Sequence, residues 1–217
     1  MTIIQNKEFN NFFEIKHPLL AHKLTLLRDK TTSKKSFREL VHEITLLMGY
    51  EVTQTFEIES VTIETPMETY QGKQIAGLKP VILPILRAGL GMVQAFLDLV
   101  PSAKVGHIGM YRDEETLQPM SYYFKIPENP ENYHFILCDP MLATGGSCAE
   151  AVSRLKALGI KKITMVNILA APEGVDTFSK AHPDVPIFCA NLDRGLNAKG
   201  YIMPGLGDAG DRLFGTC

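Results

Sequence analysis

From Pro80 onward the chain repeats one pattern, a short run of apolar residues followed by a stretch long enough for a helix. The runs are Val81-Ile82-Leu83-Pro84-Ile85-Leu86, Val105 to Met110, Phe135 to Cys138, Ile163 to Leu169 and Val185 to Cys189. A strand that is apolar at successive positions has no face to give to water. It belongs in a sheet covered on both sides, which is what parallel strands joined by helical crossovers provide. The segments Gly91 to Val100, Ser147 to Leu158 and Val175 to Ala181 supply the covering helices. The alternation predicts an α/β fold on an open, doubly wound, mainly parallel sheet flanked by helices. Ligands of such sheets lie beyond the carboxyl ends of the strands, so the residues just after each run are the candidates for function.

Two helical patterns open the sequence, ahead of the sheet. Leu19, Leu20, Leu24 and Leu27 mark the first, and Phe37, Leu40, Val41, Ile44, Leu47 and Met48 repeat at three-and-four spacing in the second. Ser36 and Glu39 have the spacing of a capping box at its start. Residues 55–65, with Phe56, Ile58, Val61 and Ile63 among polar neighbours, predict a strand or hairpin edge. Between Tyr111 and Pro127 the apolar pattern weakens and a long excursion or hairpin is expected, of the kind that serves as a lid. The glycine-rich tail Gly200 to Asp211 predicts a folded loop rather than a helix or strand.

Composition narrows the function classes. The 217 residues carry a formal charge of −2, which argues against a protein devoted to polyanionic nucleic acid. Cys138, Cys148, Cys189 and Cys217 include no CxxC pair and read as reduced thiols. No basic-then-apolar leader opens the chain, and no apolar stretch approaches the ~20 residues that cross a bilayer. A cytoplasmic protein without membrane contact is expected. The six histidines are scattered without ligand spacing, so no protein metal site is predicted.

The most informative junction follows the Phe135 to Cys138 run. Asp139-Pro140-Met141-Leu142-Ala143 leads to Thr144-Gly145-Gly146-Ser147 and then to a helix. Glycines let backbone N–H groups approach an anion, Thr144 and Ser147 add hydroxyls, and a helix N-terminus adds its positive end, which together cradle a phosphate monoester. A carboxylate at the rim suits sugar hydroxyls. The plainer alternative is a strand-to-helix turn capped by Ser147. Arg87, at a strand end before Gly89 and Gly91, suits a diphosphate, or is one more surface arginine. Arg112 is either a loop contact or a solvated charge. The Tyr201 to Gly210 segment is either a surface Ω-loop or a pocket whose exposed backbone matches a base.

The Ile136 to Ser147 segment resembles the 5-phosphoribosyl-1-diphosphate (PRPP) motif of the type I phosphoribosyltransferases. Pro140 stands where many members carry a second acid. With Leu86-Arg87-Ala88-Gly89-Leu90-Gly91-Met92, Tyr111-Arg112-Asp113-Glu114-Glu115-Thr116, Lys23 to Lys30, Phe37-Arg38-Glu39-Leu40 and the Gly200 to Gly215 run, the chain resembles the uracil phosphoribosyltransferase family over essentially its whole length. That resemblance implies one domain over 1–217. Its core spans about 78–190, with N-terminal helices at 1–50 and a base-binding loop at 191–217, together forming a hood, and a β-hairpin arm. It implies conversion of uracil and PRPP to UMP and diphosphate in pyrimidine salvage. PRPP contacts would fall on Arg87, Arg112, Asp139, Pro140, Met141, Leu142, Ala143, Thr144, Gly145, Gly146, Ser147 and Asp208, and uracil contacts on Ile202, Gly207, Asp208 and Ala209. Asp208 and Arg112 would be catalytic. It further implies Mg²⁺ carried mainly by the substrate diphosphate, GTP as a candidate activator, and a homo-oligomer of two or more chains. Arg28 and Arg38 read as structural or interfacial. The competing readings are a phosphoribosyltransferase for a purine or orotate, a nucleotide-sensing RNA-binding regulator, and a dinucleotide-binding domain. The last lacks a GxGxxG pattern.

Overall fold

A computed structural model describes residues 2–112 and 119–216. In chain order its elements begin with strands β1 (Thr2–Gln5) and β2 (Phe12–Lys16), helices α1 (Pro18–Arg28) and α2 (Lys34–Val52), and strands β3 (Ile58–Glu64), β4 (Thr69–Ile75) and β5 (Lys79–Leu86). Helix α3 (Leu90–Leu99) leads to β6 (Lys104–Val105), β7 (His107–Arg112), β8 (Pro119–Lys125), β9 (Tyr133–Cys138) and β10 (Met141–Leu142). Then come α4 (Gly146–Ala157), β11 (Ile163–Ala170), α5 (Pro172–Ala181), β12 (Ile187–Leu192), β13 (Gly195–Leu196), β14 (Ile202–Met203) and α6 (Ala209–Phe214).

The main sheet runs β1-β2-β12-β11-β9-β5-β7-β8, parallel from β2 to β7 and antiparallel only at its two outer pairs. This is the expected doubly wound sheet. Its register explains the apolar runs. Leu83, Leu137, Met165, Ile187 and Phe12 are paired across five strands, all fully buried, and form one row beneath α4 and α5. Cys138, Val166 and Phe188 form the neighbouring row and pack with α1, α2, α3 and α6 on the opposite face. Successive residues thus enter different cores, and neither face is wet.

The order places a switch point between β5 and β9. After β5 the chain crosses to β7 on one side, and after β9 it crosses to β11 on the other. The carboxyl ends at Leu86 and Cys138 therefore face a common crevice.

Several expectations are corrected. The first residues are not helical: β1 and β2 extend the sheet, β2 pairing parallel with β12. Helix α2 is capped by Ser33, whose side chain accepts the Ser36 N–H, so Ser36 and Glu39 form no capping box. Glu39 instead lies 3.7 Å from Lys35. The strand expected within 55–65 is present: Ile58–Glu64 is one half of a separate two-stranded arm, β3–β4, whose surface is almost wholly exposed. The tail is not purely a loop: it contains β14 and the helix α6, capped by Asp208. The hairpin expected between Tyr111 and Pro127 is present as the β7–β8 pair, while Asp113, Glu114, Glu115 and Thr116, like Cys217, lie outside the described residues. Among the described residues no helix is long and apolar enough to cross a membrane.

Candidate active site

The segment after β9 is stitched to its neighbour by its backbone. Asp139 N–H donates to Val166 O at 3.2 Å, and Pro140 O accepts from Ile168 and Leu169 N–H at 3.1 and 2.9 Å. Met141–Leu142 then pairs with Leu169–Ala170, and Ala171 N–H closes on Leu142 O at 3.0 Å. Proline is accommodated because only its carbonyl is used. Asn167, fully buried in β11, donates Nδ2 to Asp139 O at 2.7 Å, while its Oδ1 has no partner.

The turn into α4 needs its glycines for different reasons. Gly145 has φ +83°, and a Cβ there would lie 2.5 Å from Gly174 O. A Cβ on Gly146 would meet nothing within 4 Å, so this peptide opens onto free space. No side chain caps α4, and none caps α3 or α5 either; what sets α4 apart is the open Gly145-Gly146 start of its first turn. Backbone N–H groups at a helix start of this kind are able to meet an anion.

Asp139 is half-buried. Its Oδ1 accepts Met141 N–H at 3.4 Å, and Oδ2 is 3.6 Å from the Cys148 thiol. Burial pushes its pKa from 3.8 up to about 6, the nearby Asp208 charge adds to the rise, and the two hydrogen bonds only partly offset it. A carboxylate so poised gains from a sugar hydroxyl or a cation beside it. Among the described residues no three His, Cys, Asp or Glu side chains cluster to hold a metal ion by themselves.

On the other side of the crevice the turn after β5 packs against the end of β9. A Cβ on Gly89 would sit 2.2 Å from Cys138 O. The Leu86–Arg87 peptide is cis. The Arg87 side chain is 56% exposed, with Nη2 3.5 Å from Asp211 Oδ1, so it has the freedom to turn toward an anion. Arg112 ends β7, three residues beyond Gly109, which pairs with Leu86; its backbone therefore stands at the same carboxyl edge, and its side chain lies outside the described residues.

The C-terminal segment closes the crevice. Strands β13 and β14 form a short ladder whose turn is tied by Asn197, which accepts from Lys199 and Tyr201 N–H at 2.9 and 3.0 Å. A Cβ on Gly200 would lie 3.7 Å from the Thr144 methyl, so this turn lies against the Thr144 to Ser147 turn. Ile202 and Ala209 bury their side chains in the core, which leaves only their backbone to a ligand. Gly207 has φ +84°, and it and Asp208 are exposed. Asp208 Oδ1 accepts Asp211 N–H at 2.9 Å, fixing the carboxylate at the start of α6.

Asp139, Pro140, Met141, Leu142, Ala143, Thr144, Gly145, Gly146 and Ser147 thus form one wall, Arg87 the second, and Ile202, Gly207, Asp208 and Ala209 the third. Two further groups, Asp193 and Arg212, were not singled out. Asp193, 5% exposed after β12, receives Arg28 at 2.5 and 2.8 Å, Gly205 N–H at 2.9 Å and Asn191 Nδ2 at 2.7 Å. Burial raises its pKa, but these donors more than offset it and hold the carboxyl below the usual range. Arg212 bonds Leu27, Leu206 and Asp29 carbonyls at 2.8, 2.9 and 2.6 Å and lies over the Phe37 ring. Arg38 bonds Leu213 O at 3.0 Å, so Arg28, Arg38 and Arg212 together bind the N-terminal helices to the C-terminal segment. The signal in the sequence for Asp193 is weaker than that for Asp139: it stands four residues after the Val185 to Cys189 run, with Asn191 in between.

Comparison with known proteins gives the same architecture a family. A family model described as uracil phosphoribosyltransferase matches residues 14–216. A uracil phosphoribosyltransferase of Streptococcus suis is 60% identical over 205 residues, covering 94% of this chain and 98% of that protein. One from Thermoanaerobacter sp. is 55% identical over 208 residues, covering 96% and 99%. The solved AQ2163 protein of Aquifex aeolicus superposes with a TM-score of 0.89 at 37% identity, covering 94% of this chain and 98% of that one. An adenine phosphoribosyltransferase from Trypanosoma brucei shares the fold at a TM-score of 0.60 and 13% identity, covering 96% and 92%.

Proposed function

The chain belongs to the uracil phosphoribosyltransferase family, and from that premise we propose that its β5/β9 crevice transfers the phosphoribosyl group of PRPP to N1 of uracil, forming UMP and diphosphate in pyrimidine salvage. One observation carries the assignment of the parts. The Gly200 turn reaches the Thr144 methyl while Arg87 reaches Asp211, so an anion cradle, a cationic side chain and a glycine-rich backbone loop converge on one space.

In this reading Thr144, Gly145, Gly146 and Ser147 hold the 5-phosphate at the start of α4, backed by Pro140, Met141, Leu142 and Ala143. Asp139 accepts the ribose hydroxyls. Arg87 and Arg112 neutralise the diphosphate as its bond to the anomeric carbon breaks and the N1 bond forms. The exposed backbone at Ile202, Gly207 and Ala209 reads the donor and acceptor pattern of uracil. Asp208, at the junction, is the candidate acceptor for the N1 proton. Mg²⁺ carried by PRPP fits here: it needs only one or two carboxylates from the protein, and Asp139 and Asp208 are close enough for their charges to repel, which a cation beside them would relieve. When bound, it supplies charge neutralisation on the diphosphate.

The whole chain, 1–217, works as one domain in this reading. A homo-oligomer is supported by the arm, where Ile58, Met67, Tyr70 and Ile75 are 51–91% exposed, more apolar surface than a lone hairpin holds in water. The buried free thiols Cys138, Cys148 and Cys189 suit cytoplasmic residence. GTP activation is part of the same proposal and is tested by adding GTP to the assay. That assay is UMP formation from uracil and PRPP, with and without Mg²⁺. Uracil is expected to be turned over far better than orotate or hypoxanthine; no UMP under either condition refutes the reading.

A further inference from the structure

The glycine turn that enters the base loop is gripped on both sides of one residue. Gly205 N–H donates to Asp193 Oδ2 at 2.9 Å, and Gly205 O accepts Arg28 Nη1 at 2.8 Å. The two gripping groups are themselves joined, Arg28 Nη1 to Oδ2 at 2.8 Å and Nη2 to Oδ1 at 2.5 Å. Asn191 completes the Asp193 carboxylate. The residues gripped are separated by 165 and 177 positions in the chain from Arg28, so nothing local imposes this arrangement.

The other end of the grip is anchored where the PRPP motif is anchored. Asp193 N–H donates to Ala170 O at 2.8 Å, and the next residue, Ala171, donates to Leu142 O at 3.0 Å. The base loop and the phosphate motif therefore hang from adjacent peptides at the end of β11. Gly205, Leu206 and Gly207 carry no side chain able to recognise a base, since Leu206 is buried. Recognition through backbone alone depends on where the backbone stands.

We propose that Arg28 and Asp193 are positioning residues for the nucleobase: their grip on Gly205 sets the distance between the pyrimidine subsite and the ribose-phosphate subsite. This rests on the reading that the Ile202 to Ala209 loop holds uracil. A buried ion pair is a weak device for stability, because desolvation offsets most of its attraction. With the Asp193 side chain 1% exposed and Arg28 at 22%, the pair's value lies in fixing geometry.

The experiment is steady-state kinetics on Arg28→Met, Arg28→Lys and Asp193→Asn, with thermal unfolding of each. When the grip is lost, uracil binds only the fraction of molecules whose loop is correctly placed, which raises its apparent KM by the inverse of that fraction. One charge-assisted hydrogen bond is worth at least ~1.4 kcal/mol, or about tenfold. Arg28→Met is expected to raise the uracil KM about tenfold and to leave the PRPP KM within about twofold. Arg28→Lys recovers only part of the loss, because it keeps a positive charge beside Asp193 but not the planar fork whose Nη1 and Nη2 hold Asp193 and Gly205 together. The Arg28→Met/Asp193→Asn double variant is no worse for uracil than Arg28→Met alone, as both act through one grip. An unchanged uracil KM, or uracil and PRPP KM rising together with a fall in Tm, overturns the proposal. Should Arg28→Met not fold, the isosteric Asp193→Asn carries the test. Amide hydrogen exchange at residues 205–207 is expected to speed up in either variant while residues 144–147 stay as they are. That readout needs no turnover, so a wild-type protein that makes no UMP refutes the base-loop reading, whereas unchanged exchange refutes the grip.

Discussion

Asp139→Asn offers a stability measurement of a site residue without any substrate. A carboxyl with a pKa of about 6 in the folded chain and 3.8 when exposed binds its proton more tightly when folded. Its contribution is full below pH 3.8 and is lost as pH rises through 6. The loss is about 3 kcal/mol at 1.36 kcal/mol per tenfold in proton affinity. His134 acts oppositely in the same window. Burial between β9 and its neighbours, with Lys162 adding to the effect, lowers its pKa from 6.5 to about 4, so stability is lost as pH falls from 6.5 toward 4. The raw pH curve of the native protein therefore shows a partial cancellation, and only the difference between variant and native isolates Asp139. Asparagine preserves shape and an acceptor for Met141 N–H, and it never ionises. Urea unfolding of the ligand-free proteins at pH 4, 5.5 and 7 is expected to show near equality at pH 4 and a variant more stable by about 3 kcal/mol at pH 7, order of magnitude. A difference that stays flat across this range refutes the reasoning that burial opposes the charge. The native enzyme should correspondingly show kcat/KM for PRPP climbing through pH 6, and Asp139→Asn should lose PRPP binding at every pH.

Three other substitutions separate the walls of the site. Gly145→Ala forces a side chain onto φ +83° and to within 2.5 Å of Gly174 O, so a loss of roughly 1–3 kcal/mol in thermal unfolding and a raised PRPP KM are expected. Arg87→Lys replaces a planar fork by a point charge at a side chain 56% exposed; stability should hold within about 0.5 kcal/mol while the PRPP KM rises about tenfold or more. Asp208→Asn retains an equally good cap for α6, so Tm should not move. A fall in kcat at saturating substrates then assigns Asp208 to the proton chemistry, and an unchanged kcat removes it.

What the sequence made legible follows the range of the interactions. The apolar runs declared a sheet covered on both faces because Leu83, Leu137, Met165 and Ile187 share one buried row. By contrast β1 and β2 gave no such signal. They lie at the sheet edge, where Thr2–Gln5 is mostly exposed and only Phe12 and Ile15 of β2 are fully buried. Helix α6 was hidden by its own glycine, Gly210, inside a glycine-rich stretch. The same division runs through the site. An anion cradle is made of consecutive peptides, so Asp139 to Ser147 displays its chemistry in the order it is written. The base loop has no comparable code: Gly205 and Gly207 show that the backbone is bare, but not where it is held. In the proposed reading its place is set by Arg28, Asp193 and Arg212, whose side chains, from the first helix, the end of a distant strand and the last helix, bond Gly205 and Leu206. Changes in PRPP handling should therefore map to one contiguous segment, whereas changes in base handling should scatter along the chain and meet only in the fold.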